Sequence, residues 1–163
     1  TSEGSTKINN RLHFDYQTNR IKAQLFDQKT GKSEKTIKFN KPVYDVLSAV
    51  YYCRTIDFKQ LVINQTVPVN TIIDDSVHNL YIRFKGKEEV TIKDGRTFQT
   101  LKFSAKLIDG TIFKGGEDLF VWITNDRASI PVMVEAKIFV GSVKAYLTTA
   151  ENLKYSIISE IKE

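Results

Sequence analysis

Val90-Thr91-Ile92-Lys93-Asp94-Gly95-Arg96-Thr97-Phe98-Gln99-Thr100-Leu101-Lys102-Phe103 reads as two β-strands folded back on each other. Val90 and Ile92 alternate with polar residues before Asp94-Gly95, and Leu101 and Phe103 do so after it. Period-two alternation marks a strand with one buried face. An Asp-Gly pair between two such runs is a strong hairpin signal, because a type I′ turn needs positive φ at both central residues. The same grammar extends outward. Upstream, Leu80-Tyr81-Ile82-Arg83-Phe84 puts Leu80, Ile82 and Phe84 on one face. Downstream, Asp109-Gly110 separates Leu107-Ile108 from Ile112-Phe113. Leu119-Phe120-Val121-Trp122-Ile123 is apolar at every position, which predicts a central strand covered on both faces. Ile130 to Val140 alternates again, and Gly141 then predicts a bulge or a sharp bend. Further turn signals stand at Thr30-Gly31, Lys85-Gly86, Gly115-Gly116 and Asn125-Asp126. These spacings predict a mainly-β chain, with a meander of antiparallel hairpins from about Leu80 to Leu147.

One stretch breaks the strand pattern. Val43, Val46, Leu47, Val50 and Tyr51 fall at helical spacing and form a single apolar stripe. Pro42 suits the first turn and Asn40 can cap it, so a helix is expected over about 42–54. The spacing from Glu151 to Ile161 also allows a second, short helix.

The 163 residues fit a single domain, with a core large enough to fold without disulfides or a structural metal. Cys53 is the lone cysteine and cannot bridge within the chain. The longest apolar run, Leu119 to Ile123, is far shorter than the ~20 residues of a spanning helix. No signal peptide opens the sequence. The single methionine is Met133, so Thr1 is not a natural start, and whether a signal or lipid anchor stood upstream is left open by the sequence.

Several chemistries lack their motifs. Neither a phosphate-cradling glycine loop nor G-x-G-x-x-G occurs, and the nucleophile elbow G-x-S-x-G is missing. His13 and His78 have no partner at zinc-ligand spacing. No metal and no cofactor is therefore expected. Cys53 lies near the end of the predicted helix, where the dipole disfavours a thiolate, and reads as a small core residue. Asp74-Asp75, Glu88-Glu89 and Glu117-Asp118 adjoin turn signals or strand ends. Neighbours on a strand point to opposite faces, so these pairs read as solvated carboxylates rather than catalytic dyads. Trp122 shares a strand face with Phe120 and Thr124; it reads as a core residue with a bonded indole N–H, or else as a sugar-stacking platform.

Charge is unevenly spread. Arg20 to Lys41 holds Arg20, Lys22, Lys29, Lys32, Lys35, Lys38 and Lys41 against Asp27 and Glu34, a net +5 that equals the net charge of the whole chain. Ile21, Ala23, Leu25, Ile37 and Phe39 are expected to face inward, leaving Lys22 and Lys38 outward and the turn lysines in solvent. Lysines of this kind either guard an edge strand or meet an anionic surface. Nucleic acid is not expected as a partner, because no recognition motif accompanies the basicity.

A resemblance adds to this reading. Val43-Tyr44-Asp45-Val46-Leu47-Ser48-Ala49-Val50-Tyr51-Tyr52-Cys53-Arg54 resembles the D-V-L-S-A-x-Y-Y-x-R helix of a family of exported bacterial proteins of unknown function. Tyr81 to Glu88 resembles its Y-x-G-K-E turn, with Phe84 and Lys85 altering the spacing. The segment Val121-Trp122-Ile123-Thr124-Asn125-Asp126, then Ile130-Pro131-Val132, Glu135-Ala136-Lys137-Ile138 and Val140 to Ala145, resembles the family over its last third. In the family two acids follow the threonine; here Asn125 replaces the first. The resemblance runs from about Arg11 to Leu147. It implies a YmcC-like β fold, a β-roll or barrel-like arrangement of coiled, partly split antiparallel sheets. It also implies export to the periplasm or outer envelope of a Gram-negative bacterium, and further N-terminal strands ahead of this chain. An exposed sheet edge left by such strands would favour self-association. No activity, cofactor or catalytic residue comes with the resemblance.

The leading expectation is a non-catalytic envelope domain that binds a lipid, a glycan or another envelope protein, with no membrane span of its own. Candidate ligand-binding residues are Lys29, Lys32, Lys35, Trp122 and Asp126. One alternative is a polysaccharide hydrolase using Asp126 and Glu135 as acid and base. Another is a polyanion or nucleic-acid binder acting through the basic hairpin 20–41.

Overall fold

The structure is a computed structural model that describes residues 2–3, 6–108 and 116–162. Its strands are β1 (Ser2–Glu3), β2 (Thr6–Asp15), β3 (Arg20–Asp27), β4 (Gly31–Lys38), β5 (Val43–Tyr44), β6 (Thr66–Ile73) and β7 (Ser76–Thr91). Then follow β8 (Thr97–Leu107), β9 (Gly116–Thr124), β10 (Pro131–Lys137), β11 (Ser142–Tyr146) and β12 (Glu160–Ile161). One α-helix, α1 (Val46–Cys53), lies between β5 and β6. Hydrogen bonding defines one sheet of order β1-β2-β3-β4 and a second of order β11-β10-β9-β8-β7-β6-β5, with β12 paired to β8. The fold is mainly β in two sheets, as the alternation predicts, and neither sheet closes into a barrel.

The chain divides into two compact units, Thr1–Tyr52 with Val69–Asn79, and Cys53–Pro68 with Leu80–Glu163. In the first unit, β2, β3 and β4 form an antiparallel ribbon in which Ile21 pairs with both Phe14 and Ile37. Its inward face carries Ile21 and Ala23, both fully buried. Leu12, Phe14, Ile37 and Phe39 pack with Ile21, Val43 and Ile72 into one cluster. The inward register predicted for the ribbon is the one observed. β4 is an edge strand bearing Lys32, Lys35 and Lys38, a composition that discourages pairing with another chain.

The helix differs from expectation. Val43 and Tyr44 form a short parallel strand against Asn70 and Thr71, so the helix cannot begin at Pro42. Asp45, not Asn40, caps it: the Ser48 N–H donates to Asp45 Oδ1 at 2.9 Å and the Ser48 hydroxyl to Oδ2 at 2.7 Å. Starting at Val46 turns Ala49 inward and leaves Val46, Leu47, Val50 and Tyr51 exposed, Leu47 by 73%. The apolar stripe is real, but it does not face the core of its unit.

In the second unit, β7 to β11 form the predicted antiparallel meander. β9 is central, between β8 and β10. Its Val121 and Ile123 pack with Phe58, Phe84, Leu101 and Phe103 on one face. Phe120 and Trp122 pack with Val90, Phe98 and Val132 on the other. This two-sided burial is what the unbroken apolar run demands.

Two turns differ in detail. At Asp94-Gly95 the hairpin forms, but as a three-residue loop: the Ile92 N–H donates to Arg96 C=O at 2.9 Å, and the Gly95 N–H donates to Ile92 C=O at 3.0 Å. Gly95 takes φ +91° while Asp94 keeps negative φ, the arrangement of a type I turn followed by a left-handed residue rather than type I′. Lys85-Gly86 is no turn at all. β7 runs straight through it, the register shifting between Phe84 and Gly86, and Gly86 supplies φ +116° for a bulge. Gly141 is the predicted sharp bend, realised as the β10–β11 hairpin. Asp109-Gly110 lies outside the described residues. The stretch Glu151 to Ile161 is irregular and ends in β12, not a second helix.

Candidate functional site

The outward face of the β2–β4 ribbon is built by register. Arg11, Gln24 and Glu34 form one cross-strand row, and Asn9, Phe26 and Lys32 form the next. These residues, with Leu25 and Ser33, line a hollow of about 510 Å³. Phe26 is 43% exposed in it, a large apolar residue that the sheet does not cover. Glu34 is already engaged: Lys22 Nζ lies 2.8 Å from Oε1, and Gln24 Nε2 donates to Oε2 at 2.8 Å. Hydrogen bonds from Lys22 and Gln24 hold its carboxyl below the usual range. Among the described residues no carboxylate pairs with Arg11 or Lys32. The hollow therefore presents two cations beside an aromatic face, an arrangement that suits an anionic group attached to an apolar or sugar ring.

The candidate lysines do not act as a cluster. Lys32 lines the hollow. Lys35 pairs in register with Ala23, on the opposite face of the ribbon, and its Nζ lies 3.3 Å from Asp75 Oδ2. Lys29 sits in the β3–β4 turn, where its backbone N–H donates to Asp27 Oδ1 at 2.6 Å. Arg11 was absent from the sequence-derived set, because only strand pairing brings it level with Gln24.

Trp122 and Asp126 belong to the second unit. Trp122 is 4% exposed, and its indole N–H donates to Glu88 Oε1. Lys102 Nζ lies 4.7 Å from the Trp122 ring and 3.1 Å from Glu88 Oε1. The core reading of Trp122, with a bonded indole, is the observed one. Asp126 is an acceptor for four donors. Oδ1 takes the Thr124 hydroxyl at 2.8 Å and the Ala128 N–H at 2.9 Å. Oδ2 takes the Ile158 and Ser159 N–H groups at 3.0 and 3.1 Å. Burial raises this carboxyl, and the hydrogen bonds from Ser159, Thr124 and Ile158 outweigh that and hold it low.

Asp126 and Glu135 are not brought together. Glu135 pairs with Phe120, four residues along β9 from the Thr124 that bonds Asp126. Four residues of strand span about 13 Å, beyond the usual separation of glycosidase carboxylates. Glu135 instead lies 3.9 Å from Lys144 Nζ.

A buried-edge network escapes sequence reasoning. Glu117 Oε1 accepts from Arg83 Nε at 2.6 Å and from the Tyr81 hydroxyl at 3.0 Å, while Oε2 accepts from the fully buried Ser104 hydroxyl at 2.6 Å. Burial alone would raise the Glu117 carboxyl, but the bonds from Ser104, Arg83 and Tyr81 prevail and bring it down to about 2. A carboxyl this acidic is ionised throughout the physiological range and cannot serve as a general acid there. Its stabilising effect is complete above its ordinary pKa of 4.5 and fades as pH falls toward 2. We predict that Glu117→Gln removes this part of the acid dependence and costs about 2 kcal/mol at neutral pH, allowing for partial solvation of the pair. Urea titrations of both proteins at pH 7, 4 and 2.5 would check it. A constant gap across that range would contradict the assignment.

Cys53 ends α1, and burial pushes its thiol up to about 11, so it is no thiolate nucleophile at neutral pH. Among the described residues no group of three or more His, Cys, Asp or Glu side chains could hold a metal ion. No helix among them is long and apolar enough to cross a membrane.

The family described as "Protein of unknown function (DUF3108)" matches residues 1–148. The chain belongs to it. The match takes in the ribbon with its hollow as well as the β9–β11 segment that carries the sequence resemblance. No curated protein and no solved structure matches the chain.

Proposed function

We propose that this DUF3108 chain is a non-catalytic domain, exported to the periplasm or outer envelope of a Gram-negative bacterium, that binds an anionic lipid or glycan on the outward face of its β2–β4 ribbon. The observation that carries this reading is the hollow in which Arg11 and Lys32 flank the exposed Phe26. The concentration of net charge in residues 20–41 supports it, since a basic ribbon draws anionic partners from solution. The acids best placed for chemistry point the same way: Glu117 and Asp126 are both held ionised by their donors. Export and the YmcC-like assignment rest on the sequence resemblance. Self-association through a sheet edge is disfavoured by the lysines on β4 and β11.

The test separates the cations by position. A basic residue near an anionic surface contributes ~1 kcal/mol, so losing Arg11 and Lys32 should weaken binding about 30-fold. Lys35 is drawn toward Asp75, so Lys29→Gln with Lys35→Gln should weaken it by less than about 10-fold. Co-sedimentation with phosphatidylglycerol vesicles, and affinity electrophoresis in an acidic polysaccharide, would measure both pairs and tell lipid from glycan. Equal losses from the two pairs would leave general basicity as the cause. No binding to either probe at low salt would remove the proposal.

A further inference from the structure

The hollow on the ribbon's outward face is composed in a way that selects among anionic ligands. Six residues share that face by register: Asn9 and Arg11 on β2, Gln24 and Phe26 on β3, Lys32 and Glu34 on β4. All six are exposed. β3 is the middle strand, so Phe26 stands between Asn9 and Lys32, its direct cross-strand neighbours, with Arg11 on the diagonal. Direct neighbours on a sheet face lie about 5 Å apart and diagonal ones about 7–8 Å, close enough for one small ligand to touch all four. Phe26 is the single apolar group of the six; the others are two cations, one carboxylate and two amides. Two cations against one carboxylate leave the face a net +1. The Gln24 amide donates an N–H to Glu34, and its carbonyl oxygen remains as an acceptor.

We infer that the ligand of this hollow is a carboxylated sugar, a uronate residue of an acidic glycan, rather than a phospholipid. The inference rests on the ribbon being the binding face, as proposed above, and names the class of ligand that face takes. A sugar ring has an apolar C–H face and a rim of hydroxyls. Phe26 offers a flat apolar surface for the first, and Asn9, Gln24 and Glu34 offer donors and acceptors for the second. Glu34 is held ionised by its bonds from Lys22 and Gln24, so it accepts from hydroxyls. An acyl chain would gain one ring and would lie against amides and a carboxylate that it cannot bond, which costs their hydration. A phosphate monoester carries about −1.5 to −2 at neutral pH, more than a net +1 balances, and it would meet Glu34. A single carboxylate matches that charge. Arg11 can grip it with two parallel N–H bonds, a geometry its planar fork favours. Lys32, on the far side of Phe26, is left as a point charge for the next anionic residue of the glycan. The volume of about 510 Å³ falls in the range of about 300–1,000 Å³ that small-ligand sites occupy.

The experiment is calorimetric titration of the intact chain with an oligogalacturonate, with its fully methyl-esterified form, and with dihexanoyl phosphatidylglycerol below its micelle concentration. The acid form should bind about 10-fold or more tightly than either of the others, the loss expected when a charge-assisted hydrogen bond is removed. Arg11→Lys keeps the charge but not the fork, and should weaken uronate binding about 5-fold. Phe26→Ala should weaken it about 10-fold, while Phe26→Tyr, which keeps the ring, should bind like wild type. Both residues are exposed, and circular dichroism verifies that each variant is folded. Equal binding of acid and ester, or wild-type binding by Arg11→Lys or by Phe26→Ala, overturns the uronate assignment. Phosphatidylglycerol binding as tightly as the acid, and lost in the Arg11→Gln, Lys32→Gln variant, overturns it too but leaves the ribbon standing as an anion site. Binding of neither probe removes both readings.

Discussion

Trp122→Ala should destabilise the protein by about 3–5 kcal/mol, the range for deleting a large buried aromatic side chain. The residue packs with Val90, Phe98 and Val132 and lies beside Phe120, their ring centroids 6.2 Å apart. Its removal opens a cavity in the middle of the sheet, where β8 and β10 on either side prevent collapse. Trp122→Phe should cost far less, about 1–2 kcal/mol. It keeps most of the apolar contact and loses the indole bond to Glu88, whose carboxylate is still held by Lys102 and is 43% exposed to water. Urea unfolding followed by circular dichroism gives both values. If Trp122→Ala shifted the midpoint no more than Trp122→Phe, the ring would not be the packing element described here.

Asp126→Ala should cost about 2–4 kcal/mol and release the chain beyond Leu147. Four donors lose their acceptor at once, two of them the Ile158 and Ser159 backbone N–H groups. The segment's remaining strand contacts are brief: Glu160 pairs with Phe98 and Ile161 with Thr97. Ile157, carried by the same segment, packs on the Trp122 cluster and would leave with it. Limited trypsin digestion should then cut after the exposed Lys154 much faster than in wild type. Asp126→Asn keeps one carbonyl acceptor but turns an N–H₂ toward the other donors, so it should fall between the two. Acid should mimic the effect, because a carboxylate held low by its bonds keeps its tether above its ordinary pKa and loses it as pH falls further. Equal digestion rates for wild type and Asp126→Ala would show that the tether does not hold the segment.

The hairpin meander was legible because its signals are local: alternation and turn residues lie within a few positions of each other. The fully apolar β9 gave away its central place for the same reason. Position-dependent detail was harder. Gly86 looks like turn punctuation, yet a glycine with positive φ serves a bulge equally well, and only the pairing of Gly86 with Lys102 decides. The helix start moved because Val43 found a strand partner 27 residues later, which no local pattern reveals. The site was the least legible part. Lys29, Lys32 and Lys35 are close in sequence but are parted by the strand pleat and the turn, while Arg11 joins Lys32 from two strands away. Glu88 and Glu117 looked like solvated turn acids. Their donors come from the adjacent strand, Lys102 and Ser104 on β8, and from the strand beyond it, Trp122 on β9 and Arg83 on β7, in a register the sequence does not state.

Amide-resolved NMR titration of the intact chain with an anionic probe, dihexanoyl phosphatidylglycerol below its micelle concentration and then an acidic oligosaccharide, tests the central claim that the ribbon's outward face is the binding surface. Saturable shifts are expected at Asn9, Arg11, Phe26, Lys32 and Ser33, lost in the Arg11→Gln, Lys32→Gln variant. Shifts spread over every lysine-bearing surface, or centred on Trp122 and Asp126 while the ribbon stays silent, would contradict it.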